Sequence, residues 1–156
     1  MQNDRPGSAD EVRPDLRVGL KWIGDLRFET GPVGVGVPAK IIDGHTKVAA
    51  SPPQVLLEAL IACVSVDVVL ILQKMRMPAS SVECDVTAER TPEIPRRITK
   101  VHLHFRIAGE GIVEERAMRA IELSVTKHCT VRDTLDPEMP VTWSLDLNAS
   151  ARAPGA

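Results

Sequence analysis

The chain has 156 residues, of which 44% are hydrophobic and 26% charged, and its formal net charge is −2. This length is enough for one domain with its own core, and the composition is that of a soluble globular protein. The low net charge gives no positive field for phosphates, and two Trp, two Phe and no Tyr provide no platform for stacking bases. Nucleic acid is therefore not expected as a partner.

Both ends of the chain are rich in Pro, Gly, Ala, Ser and charge and show no periodicity. This predicts disordered tails at residues 1–14 and 149–156 around a single domain at 15–148. The first residues also lack the apolar run of a secretory signal, so we expect a cytoplasmic protein.

The first part of the domain is predicted to be a β-hairpin followed by an extended segment and a long helix. Apolar and polar residues alternate at 16–22 and 26–29, with a turn at Gly24 and Asp25 between them. A loose extended segment at 34–42 comes next. Ser51 then offers a capping hydroxyl and Pro52 suits the first helical position, which predicts a helix over 52–76.

The long helix carries apolar side chains on every side, which is typical of a membrane span or of a helix inside a protein. Glu58 and Asp67 interrupt the apolar run, and an ionisable group near the bilayer centre costs about 3 kcal/mol on insertion scales. We therefore expect no membrane and a buried central helix. One chain of this length has little material to enclose such a helix, so we expect a homodimer.

The second part of the domain alternates strands with one more helix. Period-two patterns predict strands at 82–88, 101–107 and 141–147, and an amphipathic pattern predicts a helix at 113–128. The element order predicts an α+β fold with an antiparallel sheet packed against the long central helix.

Three cysteines are widely spaced and form no CxxC pair, which argues against a disulfide framework or a zinc ribbon. Cys63 lies about three turns into the apolar helix, and its setting alone favours a small buried residue. As a thiolate it would need a cation from elsewhere, because the helix N-terminus acts only over the first turn. Arg17 and Arg27 on the first hairpin are candidates, although each also fits a solvated strand position. Cys84 shares the apolar face of its strand and is interpreted as core.

Cys129 is the better redox candidate of the remaining two. Lys127 and His128 precede it and Arg132 follows, and a positive setting at a chain reversal lowers a thiol pKa and keeps the thiol accessible. A half-buried thiol at a helix end is the alternative interpretation.

Metal and cofactor sites are not indicated. The four histidines stand at no ligand spacing with the cysteines, and His102 and His104 fit a solvated strand face. There is no glycine-rich phosphate loop, so no cofactor is expected.

The helix sequence at 51–63, SPPQVLLEALIAC, resembles the cysteine helix of the OsmC/Ohr family. Further segments follow in the family's order and spacing, at 86–90 (VTAER), 98–105 (ITKVHLHF), 120–124 (AIELS) and 127–131 (KHCTV). The resemblance covers about residues 16–147. It implies a swapped α+β homodimer with two interface sites, each pairing a helix cysteine with a second cysteine.

For the peroxidase members, the resemblance implies that Cys63 attacks a small hydroperoxide and becomes a sulfenic acid. Cys129 then condenses with it to a disulfide, which a dithiol reductant reopens. The more exposed Cys129 is expected to be where that reductant reaches, and Leu60 and Val64 are expected to help form an apolar pocket.

The chain departs from the family at one point in the cysteine helix. Organic hydroperoxide reductases carry a glutamate near the helix start that holds an activating arginine, and here those positions are Pro53 and Gln54. Glu58 lies a full turn further on. Gln54 and Glu58 are therefore kept with Arg17 and Arg27 as candidate activating residues, and the chain resembles most the OsmC-like branch.

Two other functions fit the same sequence. The dimer pocket could bind a small apolar or thiol-bearing ligand as a redox sensor, without turnover. Alternatively, the chain could be a structural or interaction module in which Cys63 and Cys129 only pack.

Overall fold

The computed structural model describes residues 16–34 and 36–148. The chain divides into two compact units, Met1–Pro52 and Pro53–Ala156. The predicted tails at 1–14 and 149–156 lie outside the described residues. Their disorder and the single domain at 15–148 therefore stay predictions.

The first unit is a small antiparallel sheet of strands β1 (Val18–Trp22), β2 (Arg27–Pro32) and β3 (Lys40–Asp43), in that order. The predicted hairpin is confirmed, and its turn places Gly24 and Asp25 at positive φ, which a tight reversal requires. The apolar residues of β1 were predicted to be half-buried. Instead Val18, Leu20 and Trp22 are each more than 60% exposed in the single chain.

Asp43 organises the chain after β3. Its carboxylate is buried and accepts hydrogen bonds from the backbone N–H groups of His45, Lys47 and Val48, at 2.9, 3.0 and 3.0 Å. Burial alone would raise the pKa of Asp43, but these donors outweigh it and hold the pKa below its usual value. The ionised carboxylate therefore fixes the loop that leads toward the long helix.

The long helix α1 spans Pro52–Lys74, close to its predicted bounds. Its buried residues form one stripe at helical spacing, Leu60, Val64, Asp67, Val68 and Leu72. The opposite side is open in the single chain, and its expected cover by a second subunit stays a prediction. By length and composition α1 would pass as a membrane span, a test that the core helices of soluble proteins also pass.

The second unit contains a three-stranded sheet of β4 (Ser81–Arg90), β5 (Ile98–Ala108) and β6 (Val141–Leu147). The α+β class is confirmed, and β4 pairs with β5 antiparallel as predicted. Strands β5 and β6 are parallel, contrary to the expected antiparallel sheet. The reason is the long helical connection between them, which returns the chain to the same end of the sheet.

The helix predicted at 113–128 is divided into two parts, and a short helix follows it. Helix α2 covers Glu114–Leu123, a π-helical turn covers Ser124–His128, and a short helix α3 covers Thr130–Thr134. The predicted apolar face of α2 is confirmed, since Ala117, Ala120 and Ile121 are fully buried. The π turn closes where the Cys129 N–H donates to the Ser124 carbonyl at 2.9 Å.

Candidate active site

The structure brings together the two cysteines that were predicted to react. Cys63 lies in the middle of α1 and is half-buried, and Cys129 lies between the π turn and α3. Their side chains are in contact, since Cys63 contributes to the raised pKa of the Cys129 thiol, and all three cysteines are free thiols. Two free thiols in contact on separate helical elements are a candidate disulfide pair.

The environment of Cys129 differs from the predicted one. Its side chain is only 3% exposed, so it is not the accessible thiol that was expected. Burial, together with the Cys63 side chain, raises the pKa of the Cys129 thiol to about 11. The backbone N–H of Arg132 donates to its Sγ at 3.3 Å and opposes this rise, without reversing it.

The positive neighbours of Cys129 do not provide the expected activation. The Arg132 guanidinium donates to the carbonyls of Asp136, Pro137 and Met139 at 3.1, 3.3 and 3.1 Å. It therefore holds the loop that leads to β6. Lys127 is exposed in the π turn. Charge next to Cys129 in sequence is thus a poor guide to the electrostatics at its sulfur atom.

Cys84 is set apart from this pair, as predicted. It faces Phe105 across the β4–β5 ladder and packs against the core. Burial and the nearby Asp85 carboxylate raise the pKa of its thiol to about 12. Cys84 is therefore a protonated packing residue at neutral pH.

A cavity of about 390 Å³ opens beside Cys129. It is lined by Val125, Thr126, Lys127, Cys129, Arg132, Asp133, Leu135, Pro137, Val141 and Trp143. The expected pocket walls, Leu60 and Val64, are instead fully buried in the core. The lining combines aliphatic side chains and one indole with charged groups, which suits a small molecule with an apolar body.

The four candidate activating residues lie in two places. Arg17, just before β1, and Arg27, at the start of β2, belong to the first unit and have exposed side chains. Gln54 is exposed in the first turn of α1, and Glu58 is half-buried about one turn later. An activating role for any of the four stays a prediction.

Residues 44–144 match the family model described as OsmC-like protein. The chain belongs to this family. Protein YhfA of Escherichia coli K12 is 33% identical over 136 residues, covering 86% of this chain and all of the relative. The OsmC-like protein of Mycoplasma pneumoniae has the same fold at a TM-score of 0.73, with 16% identity, covering 87% of this chain and 99% of that one.

A Legionella pneumophila structure, described as an organic hydroperoxide resistance protein OsmC, also shares the fold. Its TM-score is 0.64 at 14% identity, and the match covers 86% of this chain and 98% of that one. The family resemblance read from the sequence is therefore confirmed for this OsmC-like chain.

Two features of this OsmC-like protein were missed in its sequence. His102 and His104 are not simply solvated, because each ring uses both nitrogens in a hydrogen-bonded row with Thr142, Ser144 and Asp146 on β6. The row requires parallel pairing of β5 and β6, which the sequence did not suggest. Within the described residues, no group of three or more His, Cys, Asp or Glu could hold a metal ion.

The second missed feature is Ser124, which is fully buried at the start of the π turn. Its hydroxyl donates to the backbone carbonyl of Val64 in α1 at 2.9 Å. The sequence carried one signal for this hydrogen bond, because Ser124 is a polar residue on the otherwise apolar face of the predicted helix. A hydroxyl buried there needs a hydrogen-bond partner.

Proposed function

We propose that this OsmC-like protein reduces small organic hydroperoxides with its own thiols and is then reset by a dithiol. The observation that carries the proposal is the side-chain contact between Cys63 in α1 and Cys129 after the π turn. Membership of the OsmC/Ohr family supports an organic hydroperoxide resistance or redox role.

The proposed reaction has three steps. The Cys63 thiolate attacks one oxygen of the O–O bond, the bond breaks, and the other oxygen leaves as an alcohol after taking up a proton. Cys63 is then a sulfenic acid. The Cys129 sulfur attacks the Cys63 sulfur, an S–S bond forms as the S–O bond breaks, and the hydroxyl leaves as water with the proton of the Cys129 thiol. A dithiol reduces this disulfide by two exchange steps and is itself oxidised to a disulfide.

The difference between the two thiols supports this assignment of roles. A hydroperoxide is attacked by a thiolate, and Cys129, with its pKa of about 11, is almost entirely protonated at neutral pH. Cys63 is the more exposed of the two and can meet an incoming peroxide. Cys129 needs to react only with a sulfenic acid held beside it, where proximity replaces intrinsic reactivity.

The cavity beside Cys129 supports a small ligand with an apolar body. Leu135, Val141 and Trp143 offer apolar walls, and Lys127 adds a positive charge at the exposed π turn. We propose that this space admits the hydroperoxide or the reductant. The same cavity serves the alternative function, in which an apolar or thiol-bearing ligand binds and the cysteines only sense oxidation.

A second copy of the chain is proposed to cover the apolar surface of α1. OsmC/Ohr proteins are typically homodimers, and here Val66 on the open side of α1 is 54% exposed, while Leu56 near the helix start is 42% exposed. Leaving such a surface in water is unfavourable by about 25 cal/mol per Å². The buried Asp67 and the soluble character of the family favour a cytoplasmic dimer over a membrane span.

Steady-state assays test the proposal. Purified protein is given cumene hydroperoxide or hydrogen peroxide with dithiothreitol, and peroxide loss is followed. We expect turnover by the wild type and by the matched control Cys84→Ser. In Cys63→Ser the rate of turnover should fall at least about a hundredfold. Cys129→Ser should reduce one equivalent of peroxide quickly, after which peroxide consumption should slow.

Absence of turnover in the wild type would reject the enzymatic function. If the Cys63–Cys129 disulfide still formed under oxidising conditions, the sensing alternative would replace it. If neither appeared, the two cysteines would be packing residues.

A further inference from the structure

We infer that Ser124 is a positioning residue that holds Cys63 and Cys129 at the separation needed for disulfide closure. This inference deepens the proposed function and names a residue that is not itself a thiol. Ser124 is tied to both cysteine-bearing segments at once, through its side chain on one side and its main chain on the other.

The side-chain tie reaches α1. The Ser124 hydroxyl donates to the Val64 carbonyl at 2.9 Å, and Val64 is the residue directly after Cys63. Both Ser124 and Val64 are fully buried, so water does not compete for this hydrogen bond. The bond therefore fixes the position of the π turn along the axis of α1, next to Cys63.

The main-chain tie reaches Cys129. The Ser124 carbonyl accepts from the Cys129 N–H at 2.9 Å, closing the π turn across five residues. In a regular α-helix this carbonyl would instead accept from the N–H of His128, four residues after Ser124. The wider π turn thus places Cys129, and not His128, at the end of the hydrogen bond that starts at Ser124.

The two ties leave few degrees of freedom between the sulfur atoms. From Val64 to Cys129 the path runs through one hydroxyl hydrogen bond and one main-chain hydrogen bond, both made by Ser124. Without the hydroxyl, the π turn can shift along α1. The two thiols would then spend less time within bonding distance, and closure would lose part of its proximity advantage.

Thr126 provides a matched control within the same π turn. Its hydroxyl donates to the Glu122 carbonyl at 2.7 Å, so Thr126→Ala also removes one hydroxyl hydrogen bond. That bond is exposed and local, with no link to α1. Ser124→Ala should fold, because alanine favours helices and the Val64 carbonyl keeps its place in the hydrogen-bond ladder of α1.

The test is a disulfide equilibrium in glutathione buffers of varied redox ratio, with Cys84→Ser as the background. The Cys63–Cys129 disulfide is quantified by mass spectrometry after acid quenching. We expect Ser124→Ala to lower the equilibrium constant for closure about fivefold, which is about 1 kcal/mol at 1.4 kcal/mol per tenfold. Thr126→Ala should stay within about twofold of the background protein.

The inference would be overturned if Ser124→Ala had the same equilibrium constant for disulfide closure as the background protein. It would also be overturned if Ser124→Ala and Thr126→Ala lowered this constant equally, or if the background protein formed no Cys63–Cys129 disulfide. The titration contains no hydroperoxide, so it is separate from the test of turnover. A protein that closes its disulfide in a Ser124-dependent way but consumes no peroxide would keep this inference and lose the proposed enzymatic function.

Discussion

The pKa of about 11 for the Cys129 thiol predicts an unusual pH dependence for its alkylation. At pH 8, three units lower, about one Cys129 side chain in a thousand is a thiolate. An unperturbed thiol with a pKa of ~8.5 would be about one quarter ionised. Because only the thiolate reacts, we expect iodoacetamide to modify Cys129 at least about 200-fold more slowly than a free cysteine.

The assay follows alkylation of the reduced protein between pH 7 and 10.5, with peptide mass spectrometry to separate the three cysteines. The logarithm of the Cys129 rate should rise by about one per pH unit up to pH 10 without levelling off. A plateau near pH 8.5 or below would refute the argument that burial controls this thiol.

Cys63→Ala weakens both causes of the raised pKa of Cys129. Burial contributes most, and the Cys63 side chain adds to it. Cys63→Ala removes the second cause and part of the burial, so the pH dependence of Cys129 alkylation should shift to lower pH. Cys84, whose thiol pKa is about 12, serves as an internal comparison that this substitution should leave unchanged.

Three further predictions concern stability and assembly. Leu60→Ala empties a fully buried site in the core and should lower the free energy of unfolding by about 3 kcal/mol in urea titrations at fixed protein concentration. Val66→Glu places a charge on the open side of α1 and should convert the proposed dimer to monomer in sedimentation, whereas an unchanged mass would argue against an interface there. Asp43→Asn should lower Tm at pH 7, because the lowered pKa of Asp43 adds stability above about pH 4. That stability is lost as pH falls through the folded-state pKa, so the Tm difference from the wild type should narrow in acid.

Most of the secondary structure could be predicted because local patterns determine it. The proline at residue 52 and the unbroken apolar run placed α1 to within two residues of its end, and strict alternation located β6 at Val141–Leu147. Strand direction could not be predicted in the same way. The parallel pairing of β5 and β6 depends on how α2, the π turn and α3 return the chain, which no local pattern records.

The sequence predicted that Cys63 and Cys129 lie together but not the environment of Cys129. The family resemblance pointed to Cys63 and Cys129, and the structure places their side chains in contact. The expected exposure of Cys129 was wrong because the residue is part of the core. Of its charged neighbours in sequence, Lys127 is exposed and Arg132 binds the adjacent loop. Sequence proximity gives the charge of a segment, whereas a thiol pKa depends on burial and on the groups that touch the sulfur atom.

The direct test of the two-cysteine cycle is a single turnover without reductant. Reduced protein receives one equivalent of cumene hydroperoxide, is quenched with N-ethylmaleimide, and is digested and mapped by mass spectrometry under non-reducing conditions. We predict one disulfide joining Cys63 to Cys129, with Cys84 recovered as the alkylated thiol. Recovery of Cys63 and Cys129 as alkylated thiols, or a disulfide that includes Cys84, would contradict it.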